Sequence, residues 1–232
     1  MPKPSSGKRK RATVIIPLAK NIKQANELAV KYGLATDADF SGLSVKAANE
    51  MIQQLNATRN DYPGSVETLR FIGSHQGYNK DRVHPLEMDK TIWAYTVGYP
   101  FPALVLNDNY FNSAGYGKAL TSIKKNAKHS KFHPEGCNTL KSVIDHEIGH
   151  LIDNHYAISY SINKNRKDTL PVALFKKNFS WEIEEGLSRY ATTNAAEFIA
   201  EAWSEYRNNP KPREIAKTVG RDIIKTIKNK GE

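Results

Sequence analysis

Apolar residues recur at helical spacing in two blocks near the start of the chain. In residues 20–32, Ile22, Ala25, Leu28 and Ala29 share one side and Gly33 stops the run, which predicts an amphipathic helix. Residues 45–58 repeat the pattern, with Ala47, Met51, Ile52 and Leu55 inward, Ser44 as the cap and Pro63-Gly64 as the end. The period then changes. Leu69-Arg70-Phe71-Ile72, Ile92-Trp93-Ala94-Tyr95-Thr96-Val97 and Ala103-Leu104-Val105-Leu106 are short, apolar and bounded by Gly, Pro or Asn, the pattern of strands in a small sheet. From there helices dominate: one from Leu140, then residues 181–190, 194–207 and 212–228. Helices and strands in separate blocks predict an α+β fold, and no internal repeat interrupts it.

A chain of 232 residues, 39% of them hydrophobic, can bury a full core as one domain or as one domain with a lobed subregion. Residues 1–11, ending Lys8-Arg9-Lys10-Arg11, read as a disordered basic tail, and residues 12–232 as the domain. The 34 Lys and Arg outnumber the 24 Asp and Glu, and the formal charge of +10 favours acidic partners such as nucleic acid, an anionic membrane or an acidic protein without choosing among them; no membrane partner is expected. The single cysteine, Cys137, forbids an internal disulfide and fits a reducing compartment, with secretion left open. No apolar run has the length of a membrane span, and Val14-Ile15-Ile16 is cut short by Pro17.

Chemistry concentrates in the helix from Leu140. His146-Glu147-Ile148-Gly149-His150 sets two imidazoles one turn apart with a carboxylate between them, the signature of a zinc hydrolase. Residues i and i+4 share a helix face, so both imidazoles can converge on one Zn²⁺ while Glu147 serves as general base. Leu140, Ile144, Ile148 and Leu151 form an apolar stripe, whereas His146, His150 and Asp153 fall on another face. Gly149 costs roughly 1 kcal/mol of helix propensity against Ala, which points to a neighbour that packs close there. Asp153, one turn beyond His150, is a candidate to hold a ligand imidazole, with a solvated acid as the alternative.

A catalytic zinc normally takes three protein ligands. The long metzincin pattern would need Gly at 153 and His at 156, where Asp153 and Tyr156 stand. His133 and Cys137 lie in the loop entering the helix, within reach of the site, and a free loop cysteine is usually a spectator. The remaining candidates are the downstream carboxylates Glu182, Glu184, Glu185, Glu197 and Glu201. In residues 194–207 the apolar face of Phe198, Ile199, Ala202, Trp203 and Tyr206 leaves Glu197 and Glu201 on the other edge. There Glu197 reads equally as an acid in the first turn behind an Asn194 cap, and Glu201 as a solvated residue. Spacing alone leaves the third ligand open.

Taken together, the His146–His150 motif followed by Leu151-Ile152-Asp153, and the string Tyr190-Ala191-Thr192-Thr193-Asn194-Ala195-Ala196-Glu197-Phe198-Ile199-Ala200-Glu201-Ala202, resemble the catalytic domain of anthrax toxin lethal factor, a gluzincin peptidase family. The Pro-Glu-Gly-Cys-Asn approach to the helix is similar to that of lethal-factor-like domains in phage minor head proteins. The resemblance covers roughly residues 139–203. It implies that His146, His150 and Glu197 hold one Zn²⁺ per chain, that Glu147 is the base, and that Tyr190 assists at the metal.

The expected architecture is an α+β, zincin-like metallopeptidase fold, a small mixed sheet over the HExxH helix with helical N- and C-terminal parts. The expected function is zinc-dependent endopeptidase activity on a protein or peptide substrate, in the cytoplasm or associated with a virion. Residues 103–107 are expected to offer an exposed strand to an extended substrate. The alternative is a phage head protein with a zinc-bound but weakly active fold, contacting capsid proteins or nucleic acid through its basic surface.

Overall fold

The computed structural model describes residues 12–83, 85–87, 91–129, 131–160 and 168–230, so the basic tail over residues 1–11 lies outside the described residues. Both N-terminal helices form where the apolar spacing places them. In α1 (Ile22–Lys31) the Asn21 side chain accepts the Gln24 N–H at 2.9 Å, and Gly33, at φ +65°, takes the chain out of the helix. In α2 (Val45–Asp61) Ser44 caps the Ala47 N–H, and Ala47, Met51, Ile52 and Leu55 are buried. Amide side chains on another face of α2 grip an extended N-terminal segment: Asn49 bonds both backbone groups of Ala19, and Asn60 those of Val14.

Four strands form one mixed sheet: β1 (Ala35–Asp39), β2 (Leu69–Ser74), β3 (Ala94–Val97) and β4 (Ala103–Leu106), in the order β1-β2-β4-β3. The first three in that order run parallel, and β3 pairs antiparallel with β4, Ala94 opposite Leu106 and Val97 opposite Ala103. This corrects the expectation for residues 103–107. With neighbours on both sides and every residue of β4 buried, that strand has no free edge for a substrate; the edge next to it is β3. A run without polar residues marks a strand covered on both faces, and such a strand belongs inside the sheet. β1 was not predicted, since Ala35-Thr-Asp-Ala-Asp39 has little strand propensity and is held by its pairing with β2.

Two short helices, α3 (His75–Asn79) and α4 (Asp108–Phe111), follow β2 and β4. Then come α5 (Tyr116–His129), the HExxH helix α6 (Leu140–Tyr156), α7 (Leu170–Lys177) and α8 (Ser180–Gly186). A 3₁₀ turn (Tyr190–Thr192), α9 (Ala195–Asn208) and α10 (Glu214–Lys230) complete the described chain. Helices α5 and α7 lie outside the predicted set. The helix expected over 181–190 ends at Gly186, because Arg213 draws the carbonyls of Glu185 and Leu187 toward its guanidinium while pairing with buried Glu205 at 2.7 Å. Tyr190 therefore sits on its own turn.

Helices α2 and α6 pack together beneath the sheet, where Ile72, Leu104, Leu106 and Ala94 meet Ile144, Ile148 and Ile152 in one core that runs from Ile16 to Ile227. The opposite sheet face carries a smaller cluster of Phe71, Tyr78, Ala103 and Val105. Among the described residues no helix is long and apolar enough to cross a membrane.

Candidate metal centre

Helix α6 begins at Thr139, whose side chain accepts the Ser142 N–H while Ser142 Oγ accepts the Thr139 N–H, a reciprocal cap that fixes where the helical phase starts. From that start His146 and His150 fall one turn apart, with their Nε2 atoms 3.1 Å from each other. Both flanks of α6 are covered, so the expected division into an apolar face and a chemical face holds for residue type but not for burial: His146, Glu147 and Asp153 are buried along with Ile148.

The other half of the site comes from α9, and Gly149 decides how near α9 can come. A Cβ at Gly149 would stand 2.8 Å from Ala200 Cα, closer than side chains approach a backbone, so only glycine lets the two helices meet. This is the close neighbour that the glycine implied. Asn194 caps α9 through the Glu197 N–H at 2.9 Å, and Glu197, one turn before Ala200, is carried against the two histidines. Its Oε2 lies 3.2 Å from His146 Nε2 and 3.3 Å from His150 Nε2. Gly149→Ala is expected to lower stability by about 1–3 kcal/mol despite a gain of up to about 1 kcal/mol in helix propensity, and to weaken metal binding by moving Glu197 away. Denaturant titration and zinc titration check it; wild-type values in both would mean that this contact does not position Glu197.

The three atoms fit one metal ion. A tetrahedral zinc at its usual bond lengths holds its ligand atoms about 3.3 Å apart, which matches all three separations. Glu197 Oε2 is buried and has no hydrogen-bond partner among the described residues, and lone pairs gathered this closely repel unless a cation lies between them. Glu147, next in sequence to His146, is buried as well. Burial raises its carboxyl above its ordinary value, in favour of a group that takes up a proton.

Behind the triad lies Glu201, only 1% exposed. Its Oε1 is 2.8 Å from His146 Nδ1 and 3.1 Å from His133 Nδ1, and its Oε2 accepts the Ser188 hydroxyl at 2.7 Å. The carboxylate charge 2.8 Å from Nδ1 favours a proton on that nitrogen, although the geometry is not that of a hydrogen bond, and a proton there leaves the Nε2 lone pair facing Glu197 and His150. His133 and His146 hold the Glu201 carboxyl down to about 2 against the opposing effect of burial. The solvated reading of Glu201 is thus corrected: α9 is buried continuously from Phe198 to Glu205, enclosed by α6, α10, α7 and the 3₁₀ turn.

Glu201 also answers the question asked of Asp153. That residue is buried, but its carboxylate accepts the Ser159 N–H at 2.6 Å and organises the left-handed turn at Ala157 that ends α6; the carboxylate beside an imidazole of the triad is that of Glu201. Neither loop candidate joins the triad. His133 is turned to Glu201, and Cys137 is buried 3.2 Å from Ser204 Oγ, where burial pushes its thiol up. The carboxylates around α8 lie elsewhere: Glu182 accepts the Phe179 N–H, Glu184 pairs with Arg189 and Glu185 with Lys131.

Tyr190 reaches the centre because its turn is tied down twice. Its N–H bonds Phe132 O at 3.1 Å and the Arg189 N–H bonds Lys131 O at 2.8 Å, while Ser188 Oγ accepts the Ala191 N–H and donates to Glu201. The phenol stacks on Phe132 (5.1 Å, 22°) and on His146 (5.8 Å, 25°), close enough to the Glu197 carboxylate to feel its charge. Burial and that carboxylate raise its pKa far above the ordinary phenol value, so it remains a donor. Ser188 carried no signal in the sequence, and Trp93, whose ring packs tilted against His133 at 5.3 Å, was legible only as a strand residue.

Comparison of the chain with protein families, with curated proteins and with solved structures finds no match.

Proposed function

We propose that this chain is a zinc-dependent endopeptidase with a zincin-like fold, of the lethal-factor-like type that its motifs resemble. The observation that carries the reading is the convergence of His146, His150 and Glu197 at zinc-ligand spacing, with the Tyr190 phenol stacked on His146 and Glu147 buried next to His146 in the chain. An N₂O donor set on two buried helices suits zinc, which when bound supplies Lewis acidity toward a carbonyl and acidifies water. Glu147 takes the proton of the attacking water and passes it to the leaving amine. Tyr190 donates a hydrogen bond to the carbonyl oxygen as negative charge develops there. Glu201 keeps His146 in the tautomer that the site needs.

An extended substrate fits the edge strand β3, which packs against α6 and is paired on one side only among the described residues. Main-chain pairing there would lay a peptide across the mouth of the site. The test is metal analysis with turnover on a peptide library: one zinc per chain, hydrolysis lost to a chelator and restored by zinc. One zinc per chain without turnover would favour the structural phage-head alternative. Tyr190→Phe is expected to retain zinc and lose about 10²-fold or more in turnover, the effect of removing one oxyanion donor. Unchanged turnover would place the phenol outside the chemistry.

A further inference from the structure

His133 stands where four other rings meet. Its plane is nearly perpendicular to those of Phe132, Tyr190 and His146 (88°, 77° and 78°), with centroids 5.0, 6.0 and 6.5 Å away, and the Trp93 ring packs tilted against it at 5.3 Å. With Ile92 and Asn126, the residues His133, Trp93, Phe132 and Tyr190 line an open cavity of about 230 Å³. This cavity borders the metal centre directly, because the Tyr190 ring in its wall also stacks on His146 at 5.8 Å. Strand β3 begins at Ala94, the residue after Trp93, so a peptide paired with β3 reaches the cavity at the start of the strand.

The space is smaller than the roughly 300–1,000 Å³ that holds a whole small-molecule ligand, and it suits one side chain. Its apolar walls are flat rings and one aliphatic residue, surfaces that pack well against another ring. Holding Glu201 accounts for only one nitrogen of His133. Nδ1 lies 3.1 Å from Glu201 Oε1, and Glu201 is buried, so the part of the ring that reaches the open cavity is the side away from it. That side carries Nε2, which has no partner among the described residues. Glu201 is held ionised, so the proton between the two groups resides on Nδ1 and the neutral ring offers a lone pair at Nε2. Such a lone pair beside apolar walls calls for a donor.

We propose that this cavity is a subsite for a tyrosine side chain next to the scissile bond, with His133 Nε2 accepting the phenol proton and so selecting tyrosine over phenylalanine. A phenylalanine fills the same walls and leaves Nε2 without a donor. Because the cavity is open, water reaches part of that nitrogen, which limits the discrimination to about ten- to a hundredfold. This inference rests on the peptidase reading for its context, and its test separates the two.

The probes are fluorescein-labelled peptides of Gly, Ala and Ser that differ only at one central residue: tyrosine, phenylalanine, or O-methyltyrosine, which keeps the ring and the oxygen but has no proton to give. Binding to the zinc-loaded full chain is read by anisotropy in the Glu147→Gln variant, which lacks the base, with and without His133→Phe. Hydrolysis of the same peptides is followed in the wild-type chain. The tyrosine peptide is expected to bind about tenfold or more tightly than the other two, and His133→Phe to bring that ratio to about one. The ratio is internal to each variant, so a general loss of zinc or stability through Glu201 does not imitate it. If His133→Phe does not fold, the O-methyltyrosine comparison decides alone. Equal binding of the three peptides, O-methyltyrosine binding like tyrosine, or a tyrosine preference that persists in His133→Phe overturns the proposal and leaves the peptidase reading to stand on its turnover. A His133-dependent tyrosine preference without cleavage of any peptide by the wild-type chain upholds the subsite and counts against the peptidase.

Discussion

Glu147→Gln is expected to bind zinc as wild type does and to lose at least about 10²-fold in peptide hydrolysis. Glutamine keeps the volume of the buried side chain and removes only its capacity to take a proton. His146, His150 and Glu197 hold their positions through the packing of α6 against α9 at Gly149. The loss should fall on kcat, because proton transfer contributes in the transition state and adds little to substrate binding. Burial raises the basicity of this carboxylate, so the native group is a better proton acceptor than an exposed glutamate at the same pH. Metal analysis with single-turnover hydrolysis checks the result. Zinc loss in this variant would assign Glu147 to the ligand set, and wild-type hydrolysis would move the base elsewhere.

Glu197→Ala should lose zinc affinity by more than the roughly 10- to 100-fold typical of a residue that touches a ligand without touching the metal. Two imidazoles on one helix leave a zinc two ligands short, and no other carboxylate of the described residues joins the triad. The fold should persist, since α9 is anchored by Phe198, Ile199, Ala202 and Trp203, all fully buried. Glu201→Gln serves as the internal comparison. It keeps shape but weakens the hold on His146, His133 and Ser188, so its effect should lie within that 10- to 100-fold range and extend to turnover through Tyr190. Glu182, Glu184 and Glu185, engaged at the surface of α8, should give wild-type zinc binding when replaced by Ala. A titration in which Glu197→Ala binds zinc like wild type would remove the third ligand and the resemblance that named it.

What the sequence determined by itself about this protein is local. The apolar period sets α1, α2 and α6, side-chain caps at Asn21 and Ser44 fix two of their starts, and the i,i+4 spacing alone places His146 and His150 on one face. Gly149 announced a close contact, though not its partner. Such features depend on covalent geometry and on neighbours within a turn, so they are written in a few consecutive letters. Tertiary structure decided the rest. The strand expected to be exposed to a substrate, residues 103–107, lies inside the sheet because β2 and β3 pair with it on either side. Five downstream carboxylates have the same chemistry, and only the packing of α9 against Gly149 sets Glu197 at the histidines, buries Glu201 behind them and leaves the acids of α8 to cap and pair at the surface. A carboxylate becomes ligand, clamp or surface charge according to which groups from distant parts of the chain exclude water from it, and desolvation of that kind leaves no periodicity to read.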